Sequence, residues 1–263
     1  FLNPCSVPST ADQKSRQHIR KFRRLSPKAI LVVMGCYSQK NFLEASTIGA
    51  DIVLGTSHRK EIPALIVRFE KERKPIILVD KDNRKEKYEE FGSFALPDNT
   101  RAYLKIQDGC NYFCSYCLIP FVRGNSRSRS RESVLREARL LVEKGYKEIV
   151  ITGIEIGFYG LDLSDGSYRL GNLLRDILEE NPTLFRLRVS SLNPSEVDDS
   201  FLSVIRDFPA FSSHLHLSLQ SGSTKVLKEM KRPYTAEEYY EKLQLIRAIR
   251  PEIAITTDMI SGF

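Results

Sequence analysis

Three of the five cysteines in this 263-residue chain fall within eight residues, Cys110-Asn-Tyr-Phe-Cys114-Ser-Tyr-Cys117, a C-x3-C-x2-C pattern. Thiolates are soft ligands that suit iron–sulfur clusters and zinc. Zinc normally completes a tetrahedron with a fourth ligand. The nearest histidines, His58 upstream and His214 downstream, are both far away along the chain. Three close thiolates without a fourth suit a [4Fe–4S] cluster with one open iron, a place where a small molecule can bind. Tyr112, Phe113 and Tyr116 in the same loop would shield such a cluster from water, which tunes its potential. Two other readings stay open on these residues alone: buried free cysteines, which are common in cores, and a structural zinc. An odd cysteine count in a chain of this size does not describe a disulfide framework, and the crowding of three cysteines into eight residues argues for a reducing compartment and for metal or redox chemistry.

Those residues need a scaffold, and the hydrophobic pattern supplies one. Near the start, a strand end and the Cys5 loop lead into a helix capped by Thr10 or Asp12, with Ile19, Phe22 and Leu25 on one face. A buried strand follows at 29–34 and ends at Gly35-Cys36. A helix near 41–47, a strand at 51–54, a helix from about 60 to 72 and a strand at 76–79 complete this part. Strands alternating with helices predict a parallel sheet covered on both faces. The charged, weakly periodic stretch 80–99, with Gly92, Pro97 and Asp98, marks the domain boundary, giving domains 1–92 and 93–263.

A second alternating series has strands expected at 102–106, 148–152, 185–190, 214–219 and 253–258. Between them, Leu135, Ala138, Leu141 and Val142 share one helical face, as do Leu173, Leu174, Ile177 and Leu178. Thr235 and Glu238 form a capping box ahead of Tyr239, Leu243 and Ile246. Five strand–helix units in a row fit an incomplete TIM-like barrel or an open doubly wound sheet. In both, the site lies at the C-terminal ends of the strands. There the sequence places Gly109-Cys110, Gly153, Ser190-Ser191, Gln220-Ser221-Gly222 and Asp258.

A hydrophobic content of 41% with 10% aromatics excludes wholesale disorder. No apolar run approaches the roughly 18 residues of a membrane span, and nothing near the start reads as a signal peptide. Phe1 and the abrupt stop at Phe263 lead us to expect a piece of a longer protein, cut at both ends. The net charge of +7 permits a polyanionic partner.

The run Tyr103-Leu104-Lys105-Ile106-Gln107-Asp108-Gly109-Cys110-Asn111, with the cysteine pattern, Pro120 and Arg123-Gly124, strongly resembles the radical S-adenosylmethionine methylthiotransferases. The resemblance covers almost the whole chain. It implies an α/β protein with a flavodoxin-like amino domain and a partial TIM-like (β/α) radical domain. It implies that Cys110, Cys114 and Cys117 hold a [4Fe–4S] cluster whose open iron takes the amino and carboxylate groups of S-adenosylmethionine, which reduction cleaves to a 5′-deoxyadenosyl radical. Asn3-Pro4-Cys5-Ser6-Val7 and Met34-Gly35-Cys36-Tyr37-Ser38-Gln39 are similar to the family's second and third amino-domain cysteine motifs. Cys5 and Cys36 are thereby implied as ligands of a second [4Fe–4S] cluster, associated with sulfur supply. Pro4 and Pro8 depart from the more usual threonines. Gly153, Ser190, Ser191 and Gln220 resemble positions lining the cofactor or substrate pocket.

Among the family's branches, Ile151-Thr152-Gly153-Ile154 with Ile156-Gly157 and Tyr159-Gly160, and His214 to Ser223, are most similar to the branch acting on threonylcarbamoyladenosine in tRNA. Glu155 departs from the histidine often found there. The implied reaction is hydrogen abstraction from C2 of the modified adenine at position 37, addition of a sulfur or methylthio group, and methylation by a second S-adenosylmethionine. Expected partners are tRNA and a reductant protein, and the expected location is the cytoplasm. Arg123, Arg127, Arg129 and Arg131 follow the cysteine loop and are read as RNA contacts, since guanidinium pairs with phosphate and stacks on bases. The basic run from Lys14 to Arg24 reads equally as a solvated helix face. His214 and His216 share a strand face and read as pocket lining. The acidic residues give no paired-carboxylate signal, and Asp108 reads as fixing the cysteine loop. Competing readings are an isopentenyladenosine or ribosomal-protein methylthiotransferase, and a non-catalytic RNA-binding module with structural zinc.

Overall fold

The computed structural model describes residues 1–6, 9–85, 87–91, 100–164 and 166–263. The chain divides into two compact units, Phe1–Glu86 with Leu118–Gly124, and Lys87–Cys117 with Asn125–Phe263. The boundary read from composition, at 92 to 93, falls in 92–99, outside the described residues, as do Val7 and Pro8 beside Cys5.

The first unit contains α1 (Ser9–Leu25), β1 (Val32–Val33), α2 (Cys36–Lys40), α3 (Phe42–Thr47), β2 (Ile52–Leu54), α4 (Ile62–Glu72), β3 (Ile76–Leu78) and α5 (Ile119–Arg123). The strands run parallel in the order β1-β2-β3, and Leu2 adds a parallel bridge to Val33. Successive residues of a strand point to opposite faces, and the packing follows that rule. Val33 and Val53 pack with Ile19, Tyr37 and Ala45 on one face. Val32, Ile52 and Leu54 pack with Leu65 and Phe69 of α4 on the other. Short runs of two or three residues thus make a sheet with both faces covered.

In α1 the inward face differs from the expected one. Ile19 is fully buried, but Phe22 and Leu25 are exposed. The inward stripe instead steps by four, from the buried Ser15 and Ile19 to the half-buried Arg23. Ser15 Oγ donates to the carbonyls of Cys5 (3.0 Å) and Ala11 (2.7 Å). Arg23 donates through Nε and Nη2 to the Gly49 carbonyl at 2.9 and 2.7 Å, and pairs with Asp51. Polar anchors replace apolar ones along this helix, which hydrophobic periodicity does not register.

The second unit contains β4 (Arg101–Lys105), β5 (Gln107–Asp108), β6 (Arg127–Ser128), α6 (Arg131–Glu143), β7 (Glu148–Thr152), α7 (Leu170–Glu180), β8 (Arg186–Val189), α8 (Asp199–Asp207), β9 (His214–His216), α9 (Thr224–Glu229), α10 (Ala236–Ile249) and β10 (Ala254–Thr256). Strands β4, β7 and β8 pair in parallel. The bridges Leu187↔Phe211 and Leu192↔Leu217 continue the order toward β9, which pairs in parallel with β10. This is the α/β arrangement of a partial TIM-like barrel. Along β8, Leu187 and Val189 are buried while Arg186 and Arg188 are not. The buried set packs against α6, α7, α8 and α10 in one continuous core, where Phe201 and Phe211 meet edge-on at 5.7 Å. The expected capping box forms: Glu238 N–H donates to Thr235 Oγ1 (3.1 Å) and Thr235 N–H to Glu238 Oε2 (2.7 Å). Helices α2, α5, α8 and α9 add to the expected set; they are short elements, of five to nine residues, in which a 3.6-residue period has little room to show.

Candidate functional site

The cysteine loop leaves the sheet through β5 and is stitched down before the first thiol. Asp108 Oδ1 accepts from Gly109 N–H (2.8 Å), and Oδ2 accepts from Lys105 Nζ (2.6 Å) with Arg127 at 3.7 Å. Asp108 therefore fixes the loop, as read from its position. The buried Gln107 amide does more than its sequence context signals. Its Nε2 donates to the Gly109 carbonyl (2.7 Å) and Ser126 Oγ (2.8 Å), and its Oε1 accepts from the N–H groups of Ile154 (3.0 Å) and Glu155 (2.9 Å). A Cβ at Gly153 would lie 2.9 Å from that oxygen, so only glycine leaves room for this tie between the β4 and β7 exits.

Cys110 and Cys114 are buried, and Cys117 is half-buried. Tyr112 N–H donates to Cys110 Sγ at 3.4 Å, and Arg232 Nη1 donates to Cys114 Sγ at 3.3 Å. Burial pushes the Cys110 thiol up to about 12, opposed by the Tyr112 N–H. Such a thiol stays protonated until a metal displaces the proton. Among the described residues no three His, Cys, Asp or Glu side chains gather to hold a metal ion. Thiolates that each bind a different iron of a cluster need not converge on one point, as the ligands of a single ion must. Three sulfurs on one loop, two of them receiving N–H donors, fit a cluster by the chemistry of the donor set.

The other strand ends lie at the same end of the parallel sheet. Gly153 follows β7. Ser190 and Ser191 follow β8, with Ser190 N–H donating to the Ile151 carbonyl (2.9 Å). Gln220 adopts a left-handed φ of 70° beyond β9 and donates to the Asp258 carbonyl (2.9 Å). His214 Nε2 and His216 Nδ1 each lie 3.0 Å from Thr256 Oγ1, sharing one strand face as expected.

A buried polar cluster lies beside the loop, and it corrects the reading that no carboxylates pair. Tyr112 OH donates to Glu196 Oε1 (2.7 Å) and its ring packs on Phe158 (4.6 Å between centroids). Asn193 Nδ2 donates to Glu155. Among the described residues, Glu155 Oε1 has no hydrogen-bond partner. Burial, then the negative charge of Glu196, raises the Glu155 carboxyl well above the usual carboxylate range. A Cβ at Gly157 would lie 2.0 Å from Glu196 Oε2, so the carboxylate occupies the space a side chain would fill. The two acids come from the exits of different strands, and only the fold joins them.

The arginines read as RNA contacts separate into two kinds. Arg127 and Arg129 are only 5% and 7% exposed. Arg129 pairs with Glu137 and donates through Nε to Ser133 Oγ (3.0 Å), while Arg127 faces Asp108. These two are internal counter-ions of the loop's support. Arg131 is exposed, paired with Asp176 (2.7 Å) and stacked on Tyr168 (4.8 Å). Arg123 ends α5 in the first unit and is half-buried. In that unit Cys5 is exposed and Cys36 is buried at the start of α2. The Leu2↔Val33 bridge and a Tyr37 N–H bond to the Pro4 carbonyl (3.2 Å) set their two segments side by side.

Comparison with known proteins adds to this geometry. The family described as the Radical SAM superfamily matches residues 104–263, and the uncharacterized protein family UPF0004 matches residues 1–55. Over its whole length the chain is 42% identical to the threonylcarbamoyladenosine tRNA methylthiotransferase MtaB of Bacillus subtilis, and spans 58% of it. It is 38% identical to the protein of the same name from Aquifex aeolicus, spanning 63% of that relative. It is 35% identical to the tRNA-2-methylthio-N(6)-dimethylallyladenosine synthase of Carboxydothermus hydrogenoformans, spanning 60%. Among solved structures, the radical S-adenosylmethionine methyltransferase TsrM of Kitasatospora setae aligns over 100% of this chain and 57% of its own, with a TM-score of 0.67 and 18% identity. The cobalamin-dependent radical enzyme OxsB aligns over 98% of this chain and 40% of its own, with a TM-score of 0.66 and 16% identity. At that identity both speak for the fold alone.

Proposed function

We propose, for a chain that belongs to the radical SAM superfamily, the transfer of a methylthio group to C2 of N6-threonylcarbamoyladenosine at position 37 of tRNA. The observation that carries this reading is the 42% identity over the whole chain to a relative of that name. The cysteine loop at the C-terminal end of a parallel sheet supports it. The Radical SAM family implies a [4Fe–4S] cluster and S-adenosylmethionine. Cys110, Cys114 and Cys117 would hold that cluster. Bound there, cluster and S-adenosylmethionine supply radical chemistry. Cys5 and Cys36 would contribute to a second cluster in the first unit.

The chain's own residues prepare the site. Gln107 and Asp108 fix the path of the loop, and Tyr112 against Phe158 covers one side of it. Gly153, Ser190, Ser191 and Gln220 would line the strand ends toward cofactor and substrate. Arg123 and Arg131 remain as RNA contacts. A reductant protein would deliver the electron, in the cytoplasm. Among the described residues no helix is long and apolar enough to cross a membrane.

The test is anaerobic reconstitution with iron and sulfide, followed by incubation with S-adenosylmethionine, reductant and tRNA carrying either threonylcarbamoyladenosine or isopentenyladenosine at position 37. Mass spectrometry of the nucleosides should show the methylthio product from the first tRNA and none from the second. Product from the second alone would move the chain to the dimethylallyladenosine branch, and product from neither would overturn the proposed activity.

A further inference from the structure

Arg232 is a half-buried cation that no carboxylate engages directly among the described residues; the nearby carboxyl whose charge it feels is Glu155, itself held above the usual carboxylate range by burial and by Glu196. It lies between α9 and α10, in the turn Met230-Lys231-Arg232-Pro233-Tyr234. Its Nε donates to Tyr234 OH (3.0 Å), and its guanidinium stacks over the Tyr234 ring at 4.9 Å. Its Nη1 donates to Cys114 Sγ at 3.3 Å. Among the described residues no ion pair engages it, although most other arginines of this unit that approach a strand or loop face an acid, as Arg129 faces Glu137 and Arg188 faces Glu148. Withdrawing a guanidinium from water without a counter-charge is costly. The same turn also holds the loop's backbone, since Ser115 N–H donates to the Met230 carbonyl (3.1 Å) and Ser115 Oγ to the Glu229 carbonyl (3.2 Å). The guanidinium is thus held at one sulfur by its own stacking and by the loop's anchoring.

We infer that Arg232 is the built-in counter-ion of the loop's metal site, donating to the Cys114 thiolate and raising the reduction potential of the cluster that thiolate holds. This rests on the assignment of a cluster to Cys110, Cys114 and Cys117. A cation and an N–H donor at a ligating sulfur stabilise the added negative charge of the reduced state more than the oxidised one. Arg232 then acts through Cys114 as a positioning residue, without touching substrate.

The experiment is a potentiometric titration of the reconstituted full chain without S-adenosylmethionine, followed by electron paramagnetic resonance of the reduced cluster. It is run in a Cys5→Ala, Cys36→Ala background, so that only the loop contributes. Arg232→Met should shift the midpoint to more negative potential, and Arg232→Lys, which keeps the charge, should recover most of the shift. Iron and sulfide are counted in parallel. An unreconstitutable parent chain, with Arg232 intact, would sink the cluster assignment itself. A loaded Met variant with the parent's midpoint overturns the tuning role, and weakened S-adenosylmethionine binding in that same variant would reassign Arg232 to an anionic group of that molecule. Loss of the cluster in both the Met and the Lys variants also overturns it, leaving a purely structural role.

Discussion

The chain presents its cysteines in two ways. Cys110, Cys114 and Cys117 share one loop, held at its start by Gln107 and Asp108 and at its far side by the turn at 229–232. Cys5 and Cys36 come from segments a helix and a strand apart, set side by side by the Leu2↔Val33 bridge and the Tyr37 N–H bond to the Pro4 carbonyl. The loop thiols are mostly buried, and Cys110 and Cys114 receive N–H donors, whereas Cys5 is exposed. A local constellation is pre-organised by its own neighbours. A distributed one depends on the register of a sheet, and here that sheet is made of strands two or three residues long.

That contrast can be broken most directly at the thiols. Alanine at Cys110, Cys114 and Cys117 together should abolish iron and labile sulfide binding at the loop. Alanine at Cys5 and Cys36 should leave the loop's iron in place. Iron and sulfide assays after anaerobic reconstitution decide it, and equal losses in the two variants would erase the distinction. The supports can be challenged next. Phe201→Ala removes a fully buried ring from the second unit's core and should cost about 3–5 kcal/mol. Two-probe thermal melts should show the second unit melting earlier while the first keeps its transition. A shared shift would mean that the two sites stand on one cooperative support.

The smallest expected effect lies in the first unit and concerns pH. His58 sits with Nδ1 2.6 Å from Glu61 and Nε2 2.6 Å from Asp80. Burial lowers its imidazole, but bonds to the two carboxylates outweigh this and raise it above its ordinary 6.5. A raised folded pKa gives stabilisation that is complete below the unfolded value and lost as pH rises through the folded one. The first unit should therefore melt earlier as pH goes from about 6 to about 8. His58→Asn, which suits the left-handed φ of 64° at this position, should flatten that slope. A slope in the second unit instead would place the titrating group elsewhere.

Much of this was legible beforehand for a physical reason. The cysteine loop declares itself by spacing, and the strands by runs of Ile, Val and Leu such as Ile149-Val150-Ile151, whose burial on both sides leaves no polar alternation. Helices α6 and α7 show full apolar faces. What was hidden depends on side chains that act at a distance in sequence. Glu155 and Glu196 meet through the exits of β7 and β8. Arg232 reaches Cys114 from a turn more than a hundred residues later. Arg127 and Arg129 carry the composition of a surface and the burial of a core, because Asp108 and Glu137 neutralise them there. In α1 a polar stripe, Ser15 and Arg23 around Ile19, does the docking that apolar periodicity assigns to Phe22 and Leu25.

The segment Leu118–Gly124 belongs to the first unit, although the residues on both sides of it belong to the second. There Val122 O accepts from Thr56 Oγ1 (3.2 Å) and Asn83 Nδ2 (2.8 Å), and a Cβ at Gly124 would lie 2.3 Å from the Asn83 carbonyl oxygen. The two units are therefore threaded rather than strung in series. Neither can be cut out, swapped between homologues or circularly permuted at a single linker without stranding α5 away from its partners. A first unit cut from the chain as one continuous piece at the 86–87 boundary would lose α5 and leave Thr56 and Asn83 without the Val122 carbonyl they bond.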